Sequence, residues 1–202
     1  MSFRDRFQNL KETVGQWTDS TGGGSLDRKI ERNLAEMEGG TEIERTAAVK
    51  ALVIQAQTDD KWADPIITSF LRVLPGQLAS PQEAIIDGLL ELRKVKVSRE
   101  EEIFESIQET LDSPYPSVRS KVVDIWTRFS LKSDAKTSDT IAVLFEMLSD
   151  DDKDVRYQTQ ESLSKILHTV PKVALPELKN AIGDDDWRVT YHSIVLLTEF
   201  AK

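Results

Sequence analysis

Cysteine is absent from the 202 residues, which removes disulfides and thiolate-ligated metal centres from consideration. Histidine occurs twice, at His168 and His192. Neither stands at the spacing a zinc site requires, so both are expected at a surface or groove edge. No apolar run approaches the roughly 20 residues that cross a bilayer, and no secretory signal pattern opens the chain. Positive charge is in deficit, with 26 Lys and Arg against 35 Asp and Glu, a formal net charge of −9. That balance opposes a general affinity for phosphate backbones, which needs clustered basic residues. The expectation is therefore a soluble, cytoplasmic protein without cofactor or metal, and without nucleic acid as its partner.

What the chain does contain is a repeated pattern. Gly183-Asp184-Asp185-Asp186-Trp187-Arg188-Val189 reads as an acidic turn and a helix N-cap, followed by an apolar face through Leu196 and Leu197. The same order appears at Ser149-Asp150-Asp151-Asp152-Lys153-Asp154-Val155-Arg156 and at Asp112-Ser113-Pro114-Tyr115-Pro116-Ser117-Val118-Arg119. With Val118, Val155 and Val189 as the zero of each copy, the spacings are 37 and 34 residues. A period of that size marks stacked supersecondary units. Apolar content of 39% is modest, and it suffices when each helix buries one face against its neighbours.

The earlier units follow the same plan. Leu26, Ile30, Leu34 and Met37 form one helical face that ends at Gly39-Gly40. Thr41 and Glu44 make a capping box for the next helix, with Glu44 at the zero position. The second unit carries Ile66, Phe70, Leu71 and Leu74 on its first helix and Ile85, Ile86, Leu89 and Leu92 on its second. Gln82 is its expected zero, to within one residue. Seven residues before the zeros stand Met37, Leu111, Leu148 and Ile182; eleven before stand Leu71, Ile107, Leu144 and Leu178; fourteen before stand Ile30, Phe104, Ile141 and Leu175. Columns that stay apolar from unit to unit are what a continuous core needs. The pattern predicts five helix–turn–helix units, ten helices and no strand.

Residues 1–17 form a separate element. Phe3, Phe7, Leu10, Val14 and Trp17 are spaced 4, 3, 4, 3 and define an amphipathic helix. Residues 18–25 are a Gly/Ser-rich linker, and the repeat domain spans 26–202. A helix this short must bury its stripe to be stable. Three destinations are open: back on the body as an N-terminal cap, onto a partner or a second copy, or onto a membrane surface. Arg4, Arg6 and Lys11 against Asp5 and Glu12 leave only +1 for anionic lipid.

The acidic turn before the second helix, the Val-Arg pairs Val118-Arg119 and Val155-Arg156, and the Ala/Leu columns resemble HEAT repeats, including those of phycobilin-lyase-like proteins, over about residues 26–202. Arg45 keeps the Arg position without the Val, and Val189-Thr190 keeps the Val without the Arg. The resemblance implies an all-α α-solenoid of about five HEAT-like repeats. It says little about function, because such folds host many activities. By the same analogy, the face of the second helices opposite the core lines a concave groove. Position +2 is Tyr157 and Tyr191 in the last two units; position +6 gives Lys50, Asp124, Glu161 and Val195. Tyrosine is enriched at protein interfaces, being amphipathic and rigid.

Three other constellations are weaker. Asp150, Asp152, Asp154 and Glu161 fall at positions 1, 3, 5 and 12 of a calcium loop, but position 6 is Val155 where glycine must turn the chain. These aspartates are expected to cap a helix instead. The run Arg93-Lys94-Val95-Lys96-Val97-Ser98-Arg99 is basic, and Glu100, Glu101 and Glu102 follow to neutralise it. HEAT-like iron hydroxylases use His-Glu pairs, absent here, and HEAT-like DNA glycosylases use a basic face around a flipped base. Of Trp62, Trp126 and Trp187, Trp126 falls in a core column. The expected function is a non-enzymatic adaptor or scaffold that holds a protein segment in the groove, as monomer or weak homodimer. Tyr157, Tyr191 and Val195 supply apolar contact, and Lys50, Asp124 and Glu161 supply polar selectivity. The alternatives are membrane or complex recruitment through Phe3, Phe7, Leu10, Val14 and Trp17, and a HEAT-like glycosylase or tetrapyrrole lyase.

Overall fold

The computed structural model describes residues 25–131 and 137–201. The expected helix over residues 1–17 lies outside them, as does all of the linker except Ser25, which begins the first helix. Ten α-helices follow in chain order: α1 Ser25–Gly39, α2 Glu42–Thr58, α3 Ala63–Val73, α4 Ala79–Leu92, α5 Glu100–Glu109, α6 Pro116–Ser130, α7 Thr137–Glu146, α8 Lys153–Thr169, α9 Pro171–Ala181 and α10 Trp187–Phe200. Their number matches the ten expected, and no strand occurs among the described residues. The chain divides into two compact units, Met1–Ile107 and Gln108–Lys202.

In the first unit, α1 and α2 are joined by only Gly40 and Thr41, which makes them antiparallel neighbours. Thr41 caps α2 as expected: its backbone N–H donates to Glu44 Oε2 at 2.8 Å, and its hydroxyl accepts from the Glu44 N–H at 3.4 Å. Ile30, Leu34 and Met37 of α1 are buried, as are Ala48, Val49, Leu52 and Ala56 of α2. The second helix α2 in turn packs along α4. In α4 the register falls one residue earlier than Gln82. With Pro81 as zero, Ile85, Leu89 and Leu92 occupy positions +4, +8 and +11, and all three are fully buried. Ser80, just before this zero, donates to Glu42 Oε1 of α2 at 2.6 Å.

All four cations of the basic run are ion-paired within this unit. Arg93 pairs with Glu100, Lys94 with Glu91 at 2.7 Å, Lys96 with Asp64 at 3.2 Å, and Arg99 with Glu102 at 2.7 Å. Arg99 also donates to the Asp64 carbonyl and the Thr68 hydroxyl, tying the stretch after α4 back to α3. Neutralisation comes from Glu91 and Asp64 as well as from the glutamates that follow.

In the second unit, the second helices α6, α8 and α10 pack in order, and the first helices α7 and α9 pack on one another. Val118, Val122 and Trp126 of α6, Val155, Leu163, Ile166 and Leu167 of α8, and Val189 and Leu196 of α10 form the buried face. Trp126 is 5% exposed, in the column that predicted its burial. The turns are held by a repeated arginine device. Arg119 donates to the Ser113 carbonyl at 2.6 Å and forks onto both oxygens of Asp150 at 2.7 and 2.8 Å, so one guanidinium joins its own turn to the next. Arg156 closes on the Asp150 carbonyl in the same way. In the first unit, Arg45 repeats the motif with the Gly40 carbonyl at 2.7 Å and Gln77 Oε1 at 3.2 Å.

Candidate functional site

A helix advances 100° per residue, so positions +2 and +6 of a second helix stand roughly 200° and 240° from its buried zero. In the second unit these positions are Ser120 and Asp124 on α6, Tyr157 and Glu161 on α8, and Tyr191 and Val195 on α10. Tyr157 is 65% and Tyr191 57% exposed, while Val195 is half-buried. The Tyr157 hydroxyl donates to Glu161 Oε1 at 3.2 Å. That bond, together with the carboxylate charge, holds the phenol above its ordinary value. Asp124 is paired with Arg128 at 2.7 Å one turn along α6. Lys50 belongs to the first unit, where it is exposed on α2.

The helices that carry the tyrosines are tied together on both sides of them. His192 Nδ1 and Gln160 Oε1 are 2.6 Å apart, joining α10 to α8. Arg188 reaches Asp151 at 3.3 Å in the turn before α8. Gln158 donates to the Ser120 carbonyl at 3.2 Å, joining α8 to α6. Burial, then the nearby Arg156 charge, lowers the His192 imidazole pKa, which keeps this contact neutral near pH 7. Tyr157 and Tyr191 therefore occupy equivalent positions on adjacent, cross-linked helices, whose axes pack roughly 10 Å apart.

Three exposed side chains of α10 were missed by the sequence reading. Trp187 is 74%, Ile194 49% and Leu197 41% exposed. Trp187, Tyr191 and Ile194 stand at i, i+4 and i+7, one continuous stripe. A signal for Ile194 and Leu197 was available. They fill positions +5 and +8, which Val123, Trp126 and Leu163 fill and bury in the earlier units. In α10 the same columns emerge because no later helix among the described residues covers them.

Asp152 caps α8 by accepting from the N–H groups of Asp154 at 2.8 Å and Val155 at 3.3 Å. Val155 lies inside the helix, so the stretch is a helix start and not a calcium loop. Among the described residues no group of three or more potential ligands is arranged to hold a metal ion. No described helix is long and apolar enough to cross a membrane. His168 sits at the exposed end of α8, its Nδ1 2.7 Å from the Ser164 carbonyl and its ring edge-on to Phe200.

Stacked helix pairs with recurring columns and turn arginines define the class: a helical-repeat α-solenoid. Residues 103–198 match the family model of HEAT repeats. No curated protein sequence matches it. One similar solved structure comes from work in which crescerin uses a TOG domain array to regulate microtubules in the primary cilium. It is 18% identical, with a TM-score of 0.57 over 96% of this chain and 85% of that one. A second comes from work on microtubule plus-end tracking by XMAP215, CLIP-170 and EB1. It is 16% identical, with a TM-score of 0.52 over 98% of this chain and 84% of that one. At these identities the likeness is one of fold.

Proposed function

We propose that the protein is a non-enzymatic scaffold that docks a protein segment on the outward face of α8 and α10. Tyr157 and Tyr191 supply the apolar anchors, Val195 the floor beside them, and Glu161 and Asp124 the polar rim. Lys50 occupies the corresponding position on α2 in the first unit. The observation that carries the reading is the exposure of two tyrosines at the same position of successive repeats, on helices fixed to each other by His192–Gln160 and Arg188–Asp151. Large aromatics held on a rigid support are the residues on which interface energy concentrates. The fold likeness to proteins that regulate or track microtubules supports the class of function, and microtubules are the first named probe to use.

The test is a Tyr157→Ala, Tyr191→Ala double variant. Both rings lie mostly outside the core, so the melting temperature should stay within about 2 °C of the parent's, as expected of surface changes near ±0.5 kcal/mol. Association in microtubule co-sedimentation, or with proteins retained from source lysate, should weaken at least tenfold. Unchanged association by the double variant sinks the reading. A collapse in melting temperature would place the tyrosines in the core and break the register on which the face was drawn.

A further inference from the structure

On the second helices, one side consistently meets the second helix before it. At position −1, Ser80 of α4 bonds Glu42 of α2, and Arg188 of α10 bonds Asp151 in the turn before α8. At position +3, Gln158 of α8 bonds the Ser120 carbonyl of α6, and His192 of α10 bonds Gln160 of α8. The same side of α2 presents Ile43 at −1, Ala47 at +3 and Ile54 at +10. Ile43 is 83% and Ile54 62% exposed, and Ala47 is exposed as well. With Lys50 between them, the four residues run at spacings of 4, 3 and 4. Two bare isoleucines on a side that elsewhere is covered by a helix call for a helix of the same pitch.

We propose that the occupant is residues 1–17 of the same chain, packed on Ile43, Ala47 and Ile54 as a solitary second helix that caps the first unit. Three observations support it. The segment carries Phe3, Phe7, Leu10, Val14 and Trp17 at spacings 4, 3, 4, 3, the same period as the α2 stripe, and stripes of that period pack at a shallow crossing angle. The connection reaches: seven residues, 18–24, lead into Ser25 and span at most about 25 Å, whereas a neighbouring helix lies only about 10 Å away. The direction is right as well. Ser25 begins α1, which is antiparallel to α2, so it lies level with the end of α2. A segment entering there sets Trp17 beside Ile54 and runs parallel to α2, as successive second helices of a stacked repeat do.

The absence of native cysteine makes the test clean. In the full chain, Leu10→Cys with Ala47→Cys, and separately Trp17→Cys with Ile54→Cys, should oxidise to an intramolecular disulfide. The control pair Leu10→Cys with Asp87→Cys, on the exposed side of α4, should not. The expected product is a monomer of increased gel mobility, formed at least tenfold faster than in the control. In the otherwise native full chain, Ile54→Asp should lower the melting temperature by several degrees, and should do so no longer once Trp17→Asp is present. A disulfide-linked dimer overturns the proposal in favour of pairing between copies. Oxidation at the control rate, or additive effects of the two aspartates, overturns it as well. Oxidation that is suppressed only by anionic vesicles leaves α2 as the resting site and supports it.

Discussion

Asp150 joins two successive turns of the second unit. It receives both prongs of the Arg119 guanidinium, its side chain accepts from the Asp152 N–H at 2.8 Å, and its carbonyl accepts from Arg156. Burial alone would push its carboxyl up, but the Arg119 bonds and the Asp152 N–H outweigh that and hold it below the ordinary 3.8. Asp186 is lowered by Arg188, and Glu44 by the Thr41 backbone and hydroxyl. The sign is the same for all three. The unfolded chain takes up protons first as pH falls, so their stabilisation is complete above the unfolded carboxylate range and is lost as pH drops through the folded values. His192 acts in the same direction from a different cause. Its lowered folded value means that acidification below the ordinary 6.5 favours the unfolded state. The urea midpoint should therefore be level above pH 7, decline first below about 6.5 and again below about 4. In a His192→Gln variant the first decline should vanish and the second remain. A midpoint that rises on acidification would contradict the assignment.

At the scale of the helix, Gly88 is the residue that lets three elements meet. A Cβ at that position would stand 2.8 Å from Phe70 of α3 and 2.8 Å from Val53 of α2, closer than carbon atoms approach. Both neighbours are branched or ring atoms in a packed core, not the loose ends of long side chains. Gly88→Ala should thus cost about 1–3 kcal/mol by overpacking, although alanine alone favours a helix by about 1 kcal/mol over glycine. Chemical denaturation of the full chain measures the balance, and a neutral or stabilised variant would show that α2 and α3 can separate without loss. Most helices were legible in advance because their faces repeat at a period only a helix satisfies. The Thr41–Glu44 box and the aspartate caps at Asp152 and Asp186 were equally legible, being local. The register of α4 was not, since Gln82 and Ile86 are buried along with Pro81 and Ile85. Two adjacent columns look alike in sequence when a helix is covered on more than one side.

At the scale of the molecule, a repeat fold passes information mainly between neighbours, and its stability is close to a sum over units and the contacts between adjacent ones. Asp150→Ala should therefore act locally. It breaks a largely buried ion pair, with Arg119 and Asp150 side chains 13% and 5% exposed, at a cost of about 3 kcal/mol. Amide hydrogen exchange should accelerate in α6, α7 and α8 and stay unchanged in α1 through α4. A uniform acceleration across all ten helices would mean one cooperative block in place of a repeat array.

The sequence by itself determined the class of fold, the number of helices and the outward placement of Tyr157 and Tyr191. Those follow from periodicity, and periodicity is written residue by residue. Tertiary structure alone decided which of the apolar columns are covered. Ile194 and Leu197 belong to columns buried in earlier units, and Ile43 and Ile54 belong to a helix that reads as ordinary core. Their exposure depends on whether a neighbouring helix is present, and a side chain's own identity carries no information about that. Tertiary structure also decided that the run from Arg93 to Arg99 is spent on Glu100, Glu91, Asp64 and Glu102. Asp64 lies about 30 residues away in sequence, and only folding brings a charge at that distance into reach.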